Sequence, residues 1–295
     1  MRYIVPTNIT DSMLAHSSVP ETDHAAWSAA AAYTVGARCI RATTHSIYER
    51  LAAGTTATPP EDDPVNWARV GPTNRWAMFD GAVGTLTTAT GEITVTVAPG
   101  TLRGLALLDL DIEALTITMT AGAAVVYSRV YAPLGSLEDV GDWYGYFFDS
   151  ISRRRSLVLT DLPAYAEGVL TITATGTGPI SIGSCIVGAL YELGTVQEGA
   201  SVGIIDYSRK QTDDFGATTV AERSYAKRMT VPIVLDTSAV SMAADRLARI
   251  RARPVVWIGS ADIDALVVYG FVKQWSVDIP GRVLSTCSLD IEGLV

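Results

Sequence analysis

GVLTITATGTGPISIGSCIVGALYELG, residues 168–194, decides how the chain is read. From Val169 to Ala174, apolar residues and Ala174 alternate with threonine, the period-two pattern of a strand buried on one face. Gly176-Thr177-Gly178-Pro179 then reads as a turn, because a phosphate cradle needs a further glycine and a helix N-terminus and here a proline and a strand follow. Upstream, Glu92 to Val97 and Leu115 to Met119 alternate in the same way, and Leu157-Val158-Leu159 ends at the turn signal Thr160-Asp161-Leu162-Pro163. Short strands at this spacing, from NRWAMFD at residues 74–80 to Gly194, predict a jelly-roll-like two-sheet sandwich over 72–195.

The 295 residues exceed what one sandwich uses, so the chain has room for a small module and a second large unit. Hydrophobic residues make up 48% and charged residues 18%, a globular balance. A formal charge of −9 excludes nucleic acid as a partner, since that affinity rests on basic residues displacing counterions. Cys39, Cys185 and Cys287 are odd in number and widely spaced, which fits buried thiols and neither a disulfide framework nor a metal site. The opening MRYIVPTNIT lacks the layout of a secretory signal, and no apolar run approaches the ~20 residues of a membrane helix. The expectation is synthesis in the cytoplasm without membrane insertion.

Residues 1–20 read as an extended arm in which Tyr3-Ile4-Val5 forms a strand and Pro6 confines it to a sheet edge, on a distant domain or a neighbouring subunit. Residues 196–295 read as an α+β unit with strands at Val231–Leu235, Val255–Gly259, Leu266–Lys273 and Leu284–Ile291. One helix lies between the first two strands. Thr237 or Ser238 is placed to cap it, Val240, Ala243, Ala244, Leu247 and Ile250 form its buried stripe, and Pro254 stops it. Arg246, Arg249, Arg251 and Arg253 crowd its C-terminal end, where the helix dipole favours cations. Residues 203–230 show no strong periodicity and are long for a free loop, which suggests ordering by a partner. The fold class expected overall is mainly β and multidomain: an aromatic-rich module, a sandwich, and one helix on an antiparallel sheet.

Residues 21–71 hold few apolar side chains, so large rings must supply most of the buried area. Trp27, Tyr33, Gly36, Tyr48 and Trp67, with Pro59-Pro60 before the last, resemble the framework of the small chitin-binding-type carbohydrate-binding module. That resemblance implies Trp27, Tyr33, Tyr48 and Trp67 as carbohydrate-binding candidates. In that family, sugar stacks on further aromatics after the second tyrosine, whereas here Glu49-Arg50-Leu51 follow, and a spacer whose rings are all core is the other reading. The acidic run Glu61-Asp62-Asp63 lacks the glycine and spacing of a calcium loop and reads as a solvated turn, so no metal is expected.

Within the sandwich, Trp143-Tyr144-Gly145-Tyr146-Phe147-Phe148 is the densest aromatic cluster. Alternate residues of a strand face opposite ways, so Tyr144 and Tyr146 share one face and Trp143 the other. One such face belongs to the core; the other suits a sugar or a subunit contact, which makes Trp143, Tyr144 and Tyr146 candidates as well. Asp139, Asp142 and Asp149 show no sign of the paired carboxylates of a glycosidase. Arg153-Arg154-Arg155 reads as a solvated turn or a salt-bridging patch at a subunit contact. The histidines, His16, His24 and His45, lie far from the C-terminal unit, and no activated-nucleophile motif is present, so the chain reads as a non-enzyme without a cofactor.

NRWAMFD, DWYGYFF, VLTDLP, DYSRKQTDDFG, VWIGS and SLDIEG together resemble a family of tailed-bacteriophage virion proteins over nearly the whole chain. The resemblance implies a virion component of the tail tip or baseplate that assembles on a tail-tube or hub protein, and the expectation is a homo-oligomer, a symmetric ring or decoration on other tail and baseplate proteins that also attaches to a host glycan. It carries no catalytic residues. The alternative is a receptor-binding lectin that grips a host cell-surface polysaccharide.

Overall fold

A computed structural model describes residues 1–131, 155–212, 215–216, 218–261 and 263–294. The chain is mainly β, 54% strand against 8% helical, which leaves strand register to set the architecture. Strands β1 (Arg2–Pro6) and β2 (Leu14–Ser17) make the arm. Strands β3 (Arg38–Arg41), β4 (Ser46–Arg50) and β5 (Trp67–Pro72) form a separate antiparallel sheet. Next come β6 (Thr87–Val97), β7 (Gly104–Asp111), β8 (Ala114–Ala121), β9 (Ala124–Tyr131), β10 (Ser156–Leu159) and the 25-residue β11 (Gly168–Glu192). The C-terminal unit contains β12 (Thr195–Val196), β13 (Ser201–Asp206), β14 (Arg209–Thr212), β15 (Thr218–Ala221) and β16 (Tyr225–Asp236). Helix α1 (Val240–Arg249) follows, then β17 (Val255–Ile258), β18 (Val267–Asp278) and β19 (Leu284–Gly293).

The alternation read in the sequence sorts side chains as expected. In β8, Leu115, Ile117 and Met119 are fully buried while the threonines between them are half-buried. They pack with Ile93 and Val95 of β6 and Ile172 of β11 against Leu105 and Leu107 of β7 and Leu157 and Leu159 of β10. Each fully buried side chain of this kind contributes ~1.5–3 kcal/mol, so the layer between the two sets of strands is the main source of stability here.

Gly176-Thr177-Gly178-Pro179 is a bulge inside β11 and not a turn. The pairing with β6 slips between Thr175 and Pro179, and the strand is re-aimed there, as bulges do. Before the bulge β11 pairs with β6 and β8; after it the β6 pairing continues to Ile182, while β7 and then β1 become its partners. The freed backbone is satisfied locally: the Thr177 amide and hydroxyl donate to the Glu113 carboxylate at 3.1 and 2.7 Å. One strand therefore serves both layers.

The arm strand β1 is central, which corrects the edge reading. Arg2 to Pro6 pair with Glu192 to Gly188 of β11 on one side, and Arg2 to Ile4 pair with Ile258 to Val256 of β17 on the other. Pro6 lies past the end of β17, so its missing N–H costs no ladder bond there. Tyr3 faces the helix-covered core and Ile4 the opposite cluster with Ala106 and Val256. Among the described residues a fourteen-stranded sheet thus runs from β10 through β7, β11, β1, β17, β18, β19 and β16 to β12, with β2, β6, β8, β9 and β13 paired off this path.

Helix α1 lies on this sheet, with Ala243 and Leu247 buried, and Val240 and Ile250 packed beside them. Neither Thr237 nor Ser238 caps it. A turn of 3-10 helix at Thr237–Ala239 precedes it, and the Thr237 hydroxyl is engaged with the Ser285 hydroxyl at 2.8 Å. Residues 203–230 pair within the chain, β13 with β16 and β14 with β15. Their strands escape a periodicity reading because β14 and β15 are exposed throughout and β13 nearly so; with neither face buried, no alternation is imposed.

Candidate functional site

The four aromatics of the small module meet in one cluster. Cys39, Tyr48 and Trp67 form its core, Trp67 2% exposed, with half-buried Trp27 and Tyr33 packed against them. Tyr33 meets Trp67 edge-on at 4.9 Å, the Arg50 guanidinium lies 5.0 Å from the Trp67 ring, and Arg41 covers Trp27 at 4.8 Å. Tyr48 and Trp67 are thereby committed to packing, while Trp27 and Tyr33 keep partial access to solvent. Trp143, Tyr144 and Tyr146 lie outside the described residues, as do Asp139, Asp142, Asp149, Arg153 and Arg154.

The acidic turn beside this cluster is tied down. Arg41 grips Glu61 through both its Nε and its Nη2, the latter at 2.7 Å, and Asn66 donates to both oxygens of Asp63. Among the described residues no group of His, Cys, Asp or Glu side chains is arranged for a metal. His45 joins the module to the sandwich. Its ring stacks on Trp76 at 4.0 Å, and its two nitrogens lie 2.9 Å from Asp11 and 3.1 Å from Glu21. Nothing in the sequence pairs His45 with Trp76, because the turn that carries it borrows a partner from another unit.

The motifs DYSRKQTDDFG and SLDIEG converge on the outer face of the C-terminal sheet. The Tyr207 hydroxyl donates to Glu292 at 3.1 Å, and Lys273 reaches the same carboxylate at 2.9 Å. One strand over, Arg228 binds Asp290 in a two-point fork at 3.0 and 2.9 Å, joined by the Thr230 hydroxyl. Arg228 holds Asp290 below its ordinary 3.8, as Arg41 holds Glu61 below 4.5. A depressed carboxyl stabilises the fold above its unfolded-state pKa and loses that contribution as pH falls through the folded value. The thermal midpoint is expected to drop as pH is lowered below 4.5, and less steeply in an Arg41→Ala, Arg228→Ala variant, as read by circular dichroism melts. Equal slopes would refute this account. Burial pushes the thiols of Cys39 and Cys287 up to about 11 and that of Cys185 to about 12, so all three stay protonated and inert near neutrality.

The surface with most to offer a partner adjoins this face. Among the described residues strand β13 pairs with β16 alone, and no strand lies along its other backbone edge. Val202 is 51% and Ile204 65% exposed on it. Monomeric proteins blunt such edges, since an open row of amides and carbonyls flanked by apolar side chains invites another strand. Sequence reading missed this site because an exposed valine in a charged stretch looks like any surface residue.

Fold and surface together define a mainly β chain with one helix on an antiparallel sheet and, among the described residues, an apolar strand edge without a paired neighbour. No protein-family model matches the chain, and no curated protein matches it. Among the described residues no helix is long and apolar enough to cross a membrane.

Proposed function

We propose that the chain is a non-enzymatic structural component of a tailed-bacteriophage tail tip or baseplate, a virion protein that assembles as a ring or decoration with other tail proteins. The motifs given above suggest the family, and the observation that supports an assembly role is the open edge of β13 with Val202 and Ile204 exposed beside it. An edge strand gives affinity through backbone hydrogen bonds and register through its side chains. Interlocking of β1 between β11 and β17 supports the reading too, because it ties the C-terminal unit to the sandwich as a load-transmitting block.

The expected result is that the purified chain forms oligomers of fixed size by light scattering, and that V202K with I204K dissociates them with the thermal midpoint unchanged. Label from an antibody against the chain is expected on the tail tip of particles in a lysate. Unlabelled particles, with the chain free in solution, would overturn the tail assignment. The lectin alternative retains Trp27 and Tyr33, half-buried at the rim of the small module. Saturable polysaccharide binding lost in a folded Trp27→Ala variant would favour it.

A further inference from the structure

Between the sandwich and the C-terminal unit lies a cleft of about 520 Å³, within the ~300–1,000 Å³ range of small-molecule sites. Its apolar floor includes Leu108 and Val267, and Tyr225, 54% exposed, stands in its wall. Among the described residues lining it, the carboxylates of Asp109 and Asp264 are matched by the cations of Arg155 and Lys227. With two charges of each sign, these four residues add no net charge that would favour an anion or a cation. They do supply strong acceptors and strong donors on the walls of one cavity.

Asp109 is held there in an unusual way. Its φ of +51° is left-handed, a region that non-glycine residues rarely occupy. The strand opposite makes room for it with Gly183, where a Cβ would come within 2.7 Å of the Asp109 Cβ. Such backbone strain concentrates at ligand sites, and the inference runs from the observed outlier to the function. Asp264 is also positioned, accepting a hydrogen bond from the Ser156 hydroxyl across the junction of the two units.

The geometry points to a binding site for a neutral, hydroxyl-rich ligand, a short stretch of uncharged polysaccharide. Carboxylates accept from sugar hydroxyls, Lys227 and Arg155 donate to them, and the Tyr225 ring offers a flat face to the C–H side of a pyranose. An anionic sugar would set its own charge against the wall carboxylates. Tyr225 and Lys227 belong to β16, on the paired side of β13 and not on its unpaired side, so this site does not depend on the assembly reading.

The test is an immobilised panel of neutral and acidic bacterial polysaccharides, followed by calorimetric titration of any that bind. D109G removes the carboxylate and relieves the left-handed strain, so that variant folds. It is expected to weaken binding of a neutral polysaccharide about tenfold, the worth of one hydrogen bond to a charged group. Tyr225→Ala is expected to weaken it as well, with oligomer size and tail-tip labelling unchanged in both. Three results would overturn the inference: no neutral polysaccharide bound, neutral binding indifferent to both variants, or binding of acidic polysaccharides alone, lost in Lys227→Ala. None of these bears on the assembly role.

Discussion

Trp257→Ala is expected to cost ~3–5 kcal/mol of unfolding free energy in urea, the usual penalty for emptying a fully buried tryptophan site. Trp257 is completely buried, lies 5.2 Å from the Tyr3 ring, and donates its indole N–H to the Gly270 carbonyl at 3.2 Å. Truncation therefore leaves a cavity and removes the indole hydrogen bond to β18, beside the strand that joins the two units. Because the cavity cannot collapse without moving β1, the loss falls on the junction as well as on the C-terminal core. A loss below ~1 kcal/mol would mean that the packing around β1 is loose.

Gly188→Val is expected to do comparable damage by the opposite route. Gly188 lies in β11 opposite Pro6 of β1, and a Cβ added there falls on the Val5 carbonyl oxygen. Backbone cannot yield as a flexible side chain does, so the overpacking is placed at ~3 kcal/mol or more, the upper end for such changes. The strand that must give way is β1, so limited proteolysis of the variant should cleave within residues 1–20 under conditions that spare the parent. Intact N-termini in both would show that β1 is not held by this contact. Gly270 carries the same constraint on the other side, where a Cβ would meet the Glu292 carbonyl.

These two effects also mark the limit of what could be read beforehand. Leu115, Ile117 and Met119 declared a strand because period two is a local property, legible wherever one face is buried and the other wet. The α1 stripe of Ala243 and Leu247 was legible for the same reason at a helical period. By contrast, the Thr237 cap failed through competition: Ser285, some fifty residues on, offers its hydroxyl another partner. The aromatic module was readable as a cluster, since Trp27, Tyr33, Tyr48 and Trp67 do converge, but which rings are enclosed depends on where Arg41 and Arg50 lie over them.

What the sequence determined by itself, then, is the inventory: strands where apolar and polar residues alternate, one amphipathic helix, an acidic chain with three inert thiols. What tertiary structure alone decided is adjacency. Arg2–Pro6 carries nothing that names Glu192 or Ile258 as neighbours, because those pairings span most of the chain and follow from the register of every strand between. The same holds for Gly176–Pro179, whose residues suit a turn or a bulge equally well until β6, β7 and Glu113 are in place. Asp109 and Asp264 share one cleft for that reason too: local patterning sets which face a side chain takes, and only the assembled sheet sets what that face meets.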